Sequence, residues 1–333
     1  MRLSVLDQSP IIKGHSPSQA IQETVDLAIR AEELGFHRYW LAEHHNMRGL
    51  ADPCPEILLT AIGSKTNRIR IGTGGVLLPY YSAAKVAETF RMQEALFPGR
   101  VDLGIGRAPG GDMLTAKAIN ANAFYSADQF PYQVVDLVNW LNNNIPEEHP
   151  FHRVAAMPTG PGAPEVWLLG SSDYSAALAA QLGLRFAFAH FINPTGGDVV
   201  SRHYRANFSS SSVEKEPQSM VCIFVICADS EIEAERLTAS IDHRRVMMAM
   251  GRESEVLTTE EAIAWEYSEH EKEIALRERS RVVIGTPDRV REQLLSLAQS
   301  YEVDELMAIT ITGEYRTRLK SYELLADAFS LNG

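Results

Sequence analysis

Apolar residues recur along this chain as short runs separated by longer amphipathic stretches. Runs at 3–7, 38–42, 69–72, 101–105, 166–169, 186–189, 221–228 and 305–310 are four to eight residues long and largely apolar. Apolarity sustained through a run, rather than alternating, predicts strands buried on both faces, as in a parallel sheet. The stretches between them carry helix signals. Ser16-Pro17-Ser18-Gln19 combines an N-cap serine, proline at the first helical position and glutamine three residues on, which predicts a capping box. The helix it opens carries Ile21, Val25, Ala28 and Ile29 near helical spacing and stops at Gly35. Further helices are expected from Pro53 and Pro55 to about Thr66, over 83–96 before Pro98-Gly99, over 128–142, from Asp173 to about Leu182, after a Ser230 cap, from Gly285-Thr286-Pro287 to about Ser300, and over 319–331.

Eight strands, each followed by a helix, predict an α/β chain: a (β/α)8 TIM barrel with insertions, one domain over 1–333. A doubly wound open sheet is the rival arrangement. The densely charged stretch 251–280 shows no sustained apolar stripe and reads as a charged, exposed helical insertion or a mobile lid.

Composition narrows the classes. The 333 residues are 45% hydrophobic, enough for a large core. Lys plus Arg number 31 against 43 Asp plus Glu, a net charge of −12 that repels phosphate backbones and argues against a nucleic-acid partner. No apolar run approaches the ~18 residues of a membrane span, and the start turns acidic at Asp7, too early for a signal peptide. Cys54, Cys222 and Cys227 form no CxxC, which suits a reducing cytoplasm.

In a barrel, reactive groups lie at the carboxyl ends of the strands. Asp7-Gln8, Glu43-His44-His45, Gly74-Gly75, Gly106-Arg107, Gly170-Ser171-Ser172 and Phe191 with Asn193 all follow predicted strands. Glu43-His44-His45 admits a metal site, a structural pair bonded to the next loop, or general acid/base work. Adjacent histidines on a strand point to opposite faces, which disfavours metal, whereas one imidazole facing the mouth suits proton transfer near neutral pH. Arg107, beside a glycine-rich turn, could fork onto a phosphate or pair with a carboxylate at the rim. Ser171, Ser172 and Ser175 open a helix, where amides and hydroxyls suit a phosphate; plain capping by Ser172 is the alternative. Gly285-Thr286 competes as an anion site. Gly74-Gly75 is either a bare-backbone platform for a flat ring or a simple bulge.

Taken together, LSVLDQSP (3–10), AEELGFHRYWLAEHHN (31–46), IRIGTGGVLLP (69–79), ALFPGRVDLGIGRAPGGD (95–112), GSSDYSAALAAQLGL (170–184) and VIGTPDRVREQL (283–294) resemble the bacterial luciferase-like flavin monooxygenase family. The resemblance implies a (β/α)8 barrel that uses reduced FMN as cosubstrate, supplied by an NAD(P)H:flavin reductase, and oxygenates a small organic substrate through a flavin C4a-peroxide. It implies a homodimer. It assigns His44 to flavin oxygen chemistry and Gly74-Gly75, which can be joined by a cis peptide, to the isoalloxazine ring. Arg107, Ser171, Ser172 and Ser175 go to the phosphate, with Glu43, His45 and Phe191 around the substrate. Where luciferases carry a reactive cysteine this chain has Gly106, which argues against light emission and a long-chain aldehyde. An F420-dependent hydride-transfer reductase is the near alternative, and a metal-dependent TIM-barrel hydrolase the distant one.

Overall fold

The computed structural model describes residues 1–107, 112–122, 128–252 and 254–331. Its strands are β1 (Arg2–Asp7), β2 (Arg38–Leu41), β3 (Arg70–Leu77), β4 (Val101–Gly106), β5 (Glu165–Gly170), β6 (Arg185–Ala189), β7 (Ser219–Cys227), β8 (Val282–Gly285) and β9 (Glu305–Ile309). All pairings are parallel, in the order β6-β5-β4-β3-β2-β1-β9-β7, and β6 pairs back onto β7. That last ladder closes the sheet and excludes the open doubly wound arrangement. The eight expected strands are the eight staves of the barrel. The additional strand is β8: the helix expected from Gly285-Thr286-Pro287 is present as Pro287–Tyr301, and the residues before it pair with the carboxyl half of β7, from Phe224↔Val282 to Cys227↔Gly285.

The continuous apolar runs are explained by two cores. Along each strand one set of alternate residues faces the lumen and the other faces the helices. Leu6, Trp40, Trp167, Cys222 and Met307 belong to the inner cluster. Val5, Tyr39, Leu103, Leu168 and Phe186 belong to the outer one, under the helices. Ser16 accepts from the Gln19 amide at 3.2 Å and starts the first helix, Pro17–Glu33, but the Gln19 side chain turns to Glu23, so only half of the capping box forms.

The start of the lumen is charged. Arg38 sits 2.8 Å from Asp102, 2.7 Å from Glu305 and 3.0 Å from Glu165. Arg70 joins Asp102 and Glu165, and Arg185 joins Glu165 and Glu214. Arg38, Asp102 and Glu305 are almost wholly buried. Burial by itself would push the Asp102 carboxyl up, but Arg38 and Arg70 overcome it and hold it below the usual carboxylate range. Trp40 donates to Asp102 at 2.9 Å and meets Trp167 edge-on at 5.5 Å, roofing the charges.

The charged stretch 251–280 is helical and packed, not a bare loop. Thr258 with Glu261, and Ser268 with Glu271, form complete capping boxes for the helices Thr259–Ile263 and Glu269–Glu278. Val256 is fully buried and exchanges backbone bonds with Ile11 and Lys13. Among the described residues no helix is long and apolar enough to cross a membrane.

Removing Arg38 leaves buried carboxylates uncompensated. Arg38→Met is expected to cost about 3–5 kcal/mol of stability in urea unfolding, whereas Arg205→Met, which breaks an exposed pair with Glu302, changes it by under about 0.5 kcal/mol. Equal midpoints for the two variants would contradict the role of the charge cluster.

Candidate active site

Three strand ends converge on one side of the mouth. In β3 the backbone stays extended through Gly74 and Gly75, which are half-buried in an otherwise buried strand and joined by a cis peptide. A Cβ on Gly75 would lie 2.7 Å from the Gly104 carbonyl oxygen, and one on Gly74 2.7 Å from Leu6. The strand therefore presents bare backbone here because no side chain fits. The β3–β4 register also shifts between Thr73 and Val76, so the glycines mark an irregularity of the ladder as well.

Arg107 leaves the end of β4, is exposed, and lies over the Tyr174 ring at 4.2 Å. Among the described residues no carboxylate pairs with it, so the rim salt bridge considered from sequence is not formed there; the turn 108–111 lies outside the described residues. Tyr174 belongs to the helix Asp173–Leu182, so Arg107 is delivered to the serine-rich turn after β5. Ser172 occupies the N-cap position, yet its hydroxyl makes no capping bond. The Ser171 carbonyl accepts from the Asn193 amide at 3.0 Å, and Ser175 is buried against Gly170. The competing site at Thr286 is filled: its amide and hydroxyl both bond the Glu231 carboxylate at 3.2 Å, and Arg289 closes on the same group.

The Glu43-His44-His45 segment divides. Glu43 is buried and accepts from the Leu77 amide at 2.9 Å and the Tyr81 hydroxyl at 2.7 Å, and His45 Nε2 meets it at 2.6 Å. Glu43 is thus the residue bonded to the end of β3 and the turn after it, and His45 reaches them only through Glu43. The two histidines do not form the structural pair considered from sequence, and neither Glu43 nor His45 lines the cavity described next. His44 does line it, together with Gln8, Phe191, Phe224 and Arg244, in a space of about 520 Å³. His44 Nδ1 is buried with no hydrogen-bond partner. Burial first, and then the charge of Arg244, push the imidazole down to about 4. It is therefore neutral at pH 7.

Asp7 is corrected too. Leu6 faces the lumen, so its neighbour faces outward. There Arg318 donates to Asp7 at 2.6 Å, the Ser9 amide donates at 2.6 Å, and Tyr39 bonds the second oxygen. Sequence reasoning missed Asp52, whose carbonyl accepts from the His44 amide at 3.2 Å. Burial, and after it the neighbouring carboxylates Asp7, Glu56 and Glu43, push its carboxyl up to about 7 against one opposing bond from the Cys54 amide. Arg244 was missed as well: it lies within an Asp-His-Arg-Arg stretch that reads as a solvated helix face. Among the described residues no three His, Cys, Asp or Glu side chains are grouped so as to hold a metal ion.

A family model described as luciferase-like monooxygenase matches residues 1–303. A luciferase-like monooxygenase of Escherichia coli (strain K12) is 38% identical over 324 residues, covering 97% of this chain and 96% of the relative. The N-acetyl-S-alkylcysteine monooxygenase of Bacillus subtilis (strain 168) is 36% identical over 329 residues, covering 98% of each. The crystal structure of apo-MsnO8 superposes with a TM-score of 0.92 at 36% identity over 99% of both chains.

Because Asp52 is raised from 3.8 to about 7, its protonated form is the one the fold favours. Its contribution to stability is whole below about pH 4 and is lost as pH rises through 7. Asp52→Asn is therefore expected to gain on the parent by about 2–3 kcal/mol between pH 5 and pH 8 in urea unfolding. Parallel stability profiles across that window would show that Asp52 titrates normally.

Proposed function

The chain belongs to the luciferase-like monooxygenase family, and from that premise we propose that it is an FMN-dependent monooxygenase acting on a small organic substrate. A separate NAD(P)H:flavin reductase would supply the reduced FMN. The observation that carries this reading is Arg107 held over Tyr174, with no carboxylate partner among the described residues, beside a serine turn whose Ser172 hydroxyl makes no capping bond. The donor set suits a phosphate. The bare Gly74-Gly75 backbone, one strand away on β3, suits the flat ring that a phosphorylated flavin carries.

Arg107, Ser171, Ser172 and Ser175 would hold the phosphate, and Gly74-Gly75 would support the ring. Reduced FMN, when bound, supplies the electron pair with which one oxygen atom of O2 enters the substrate and the other leaves as water. The protein's own residues do the rest. His44, neutral at pH 7, offers Nδ1 as an acceptor and can take a proton at that atom. Phe191 and Phe224 give the space beside it apolar walls that restrict water. Glu43 and His45 keep the loop after β3 in place under this arrangement.

The assembly we infer is a homodimer. Ile57, Met92, Leu96 and Met157 are exposed together on the helices Pro55–Gly63 and Ala83–Leu96 and the nearby loop, an apolar face of the kind that pairs with a second copy. Sedimentation should give the mass of two chains; the mass of one would refute the dimer.

Titration of the protein with FMN, anaerobically reduced FMN and F420, read by flavin absorbance and fluorescence, tests the cofactor. Reduced FMN is expected to bind at least about tenfold more tightly than F420, and the reverse preference would move the chain to hydride transfer. Arg107→Ala should weaken FMN binding about tenfold or more. His44→Ala should keep FMN binding and lose most turnover in a reductase-coupled assay; full turnover would remove His44 from the mechanism.

A further inference from the structure

The cavity beside His44 holds a buried cation with no anion to answer it. Arg244, on the helix Glu231–Ala249, is 5% exposed and lines the cavity. Among the described residues no carboxylate pairs with it; its one side-chain bond is a long 3.4 Å contact to the neutral Gln8 amide oxygen. Its neighbours do not compensate. Arg245, Arg277 and Arg281 also line the cavity, and all three share the single carboxylate Glu278, at 3.2, 3.5 and 2.8 Å. Four guanidinium groups thus line a cavity whose lining holds one carboxylate, Glu278, already shared by three of them, in a protein whose net charge is −12. Burial and then Arg245 lower Arg244 to about 10, so it remains charged at pH 7. A buried, unpaired guanidinium is costly to a fold, and the planar fork is the geometry that grips a carboxylate with two parallel bonds.

The position of this charge in the barrel separates it from the phosphate grip. Arg107 and the serine turn follow β4 and β5, and Gly74-Gly75 lies on β3. The cavity is built from the segments after β1, β2 and β6, from β7 and from the helix Glu231–Ala249; β2 and β6 adjoin β3 and β5, but no residue of β3, β4 or β5 lines it. The rest of its wall is apolar: Phe191, Ile192, Phe224, Ile241 and Met248. A volume of about 520 Å³ is that of a small-molecule site.

We propose that this cavity is the substrate subsite and that it selects an organic monocarboxylate: an apolar body packed between Phe191 and Phe224, with its carboxylate forked onto Arg244. The proposal deepens the monooxygenase reading and rests on it for the word substrate, but the anion site itself can be tested without any flavin.

The test is isothermal titration of the flavin-free protein with 4-phenylbutanoate and with its neutral analogue 4-phenylbutanamide. The acid is expected to bind with Kd below about 1 mM and the amide at least about tenfold more weakly. Arg244→Met should bring the two within about twofold, while its FMN affinity stays within about threefold of the parent. Equal binding of acid and amide by the parent, or binding of neither up to about 10 mM, would overturn the proposal with no variant needed. An acid preference that survives Arg244→Met would overturn the assignment of the residue. A loss of FMN affinity in Arg244→Met as large as that in Arg107→Ala would give the arginine to the cofactor instead. FMN titration of the same samples reports the cofactor reading separately, so an acid preference without FMN binding would sink that reading and leave the anion site standing.

Discussion

A parallel barrel must fill its own lumen, and here one end is filled with charge. Arg38, gripped by Asp102, Glu165 and Glu305, ties β2 to β4, β5 and β9 through their first or second residues. Trp40 and Trp167 lie over that cluster and take its place as the lumen becomes apolar. Higher still, the side chains shrink: Gly74, Gly75, Gly104 and Gly170 stand at or near the ends of three neighbouring strands. Polarity is thus spent at the amino end on closure, and at the carboxyl end small residues leave backbone and space for a ligand. The carboxylates of this cluster are each held by a buried or half-buried arginine, whereas among the described residues Arg107 and Arg244 at the mouth have no carboxylate partner.

The mouth itself is divided by the strand order. Exposed Arg107 and the serine turn face a position suited to phosphate, next to bare glycine backbone. Buried Arg244 faces a separate cavity with apolar walls at Phe191, Phe224 and Ile241. Two cations of opposite character, one wet and one dry, suit two anions of different kinds. His44 borders the dry half, and its neutral imidazole follows from that position, since burial and the Arg244 charge both disfavour the protonated form. Asp52, behind the His44 amide, is held toward its neutral form by burial and by other carboxylates.

Much of this was legible in the chain, for physical reasons. Long apolar runs, prolines at helix starts and glycines at helix ends are local signals, and they located all eight staves of the barrel. The ninth strand escaped because its four residues run directly into the proline that opens the next helix. For 251–280 a helical insertion and a mobile lid both stayed open, because capping boxes, not an apolar stripe, mark its helices. Side-chain direction was less legible. A shift of one residue decides whether Asp7 joins the mouth or the helix layer, and nothing local records it. Glu43 and His45 looked like mouth residues for the same reason, and hydrogen bonds to the next loop hold them. Arg244 had no signal, because an arginine pair on a helix ordinarily faces water.

If the two halves of the mouth take different partners, a crystal structure of the protein with anaerobically reduced FMN should show the phosphate within hydrogen-bond reach of Arg107 and the turn 171–175, the ring against Gly74-Gly75, and the Arg244 cavity free of flavin. Phosphate density on Arg244, or at Thr286 in place of the Glu231 carboxylate, would contradict it.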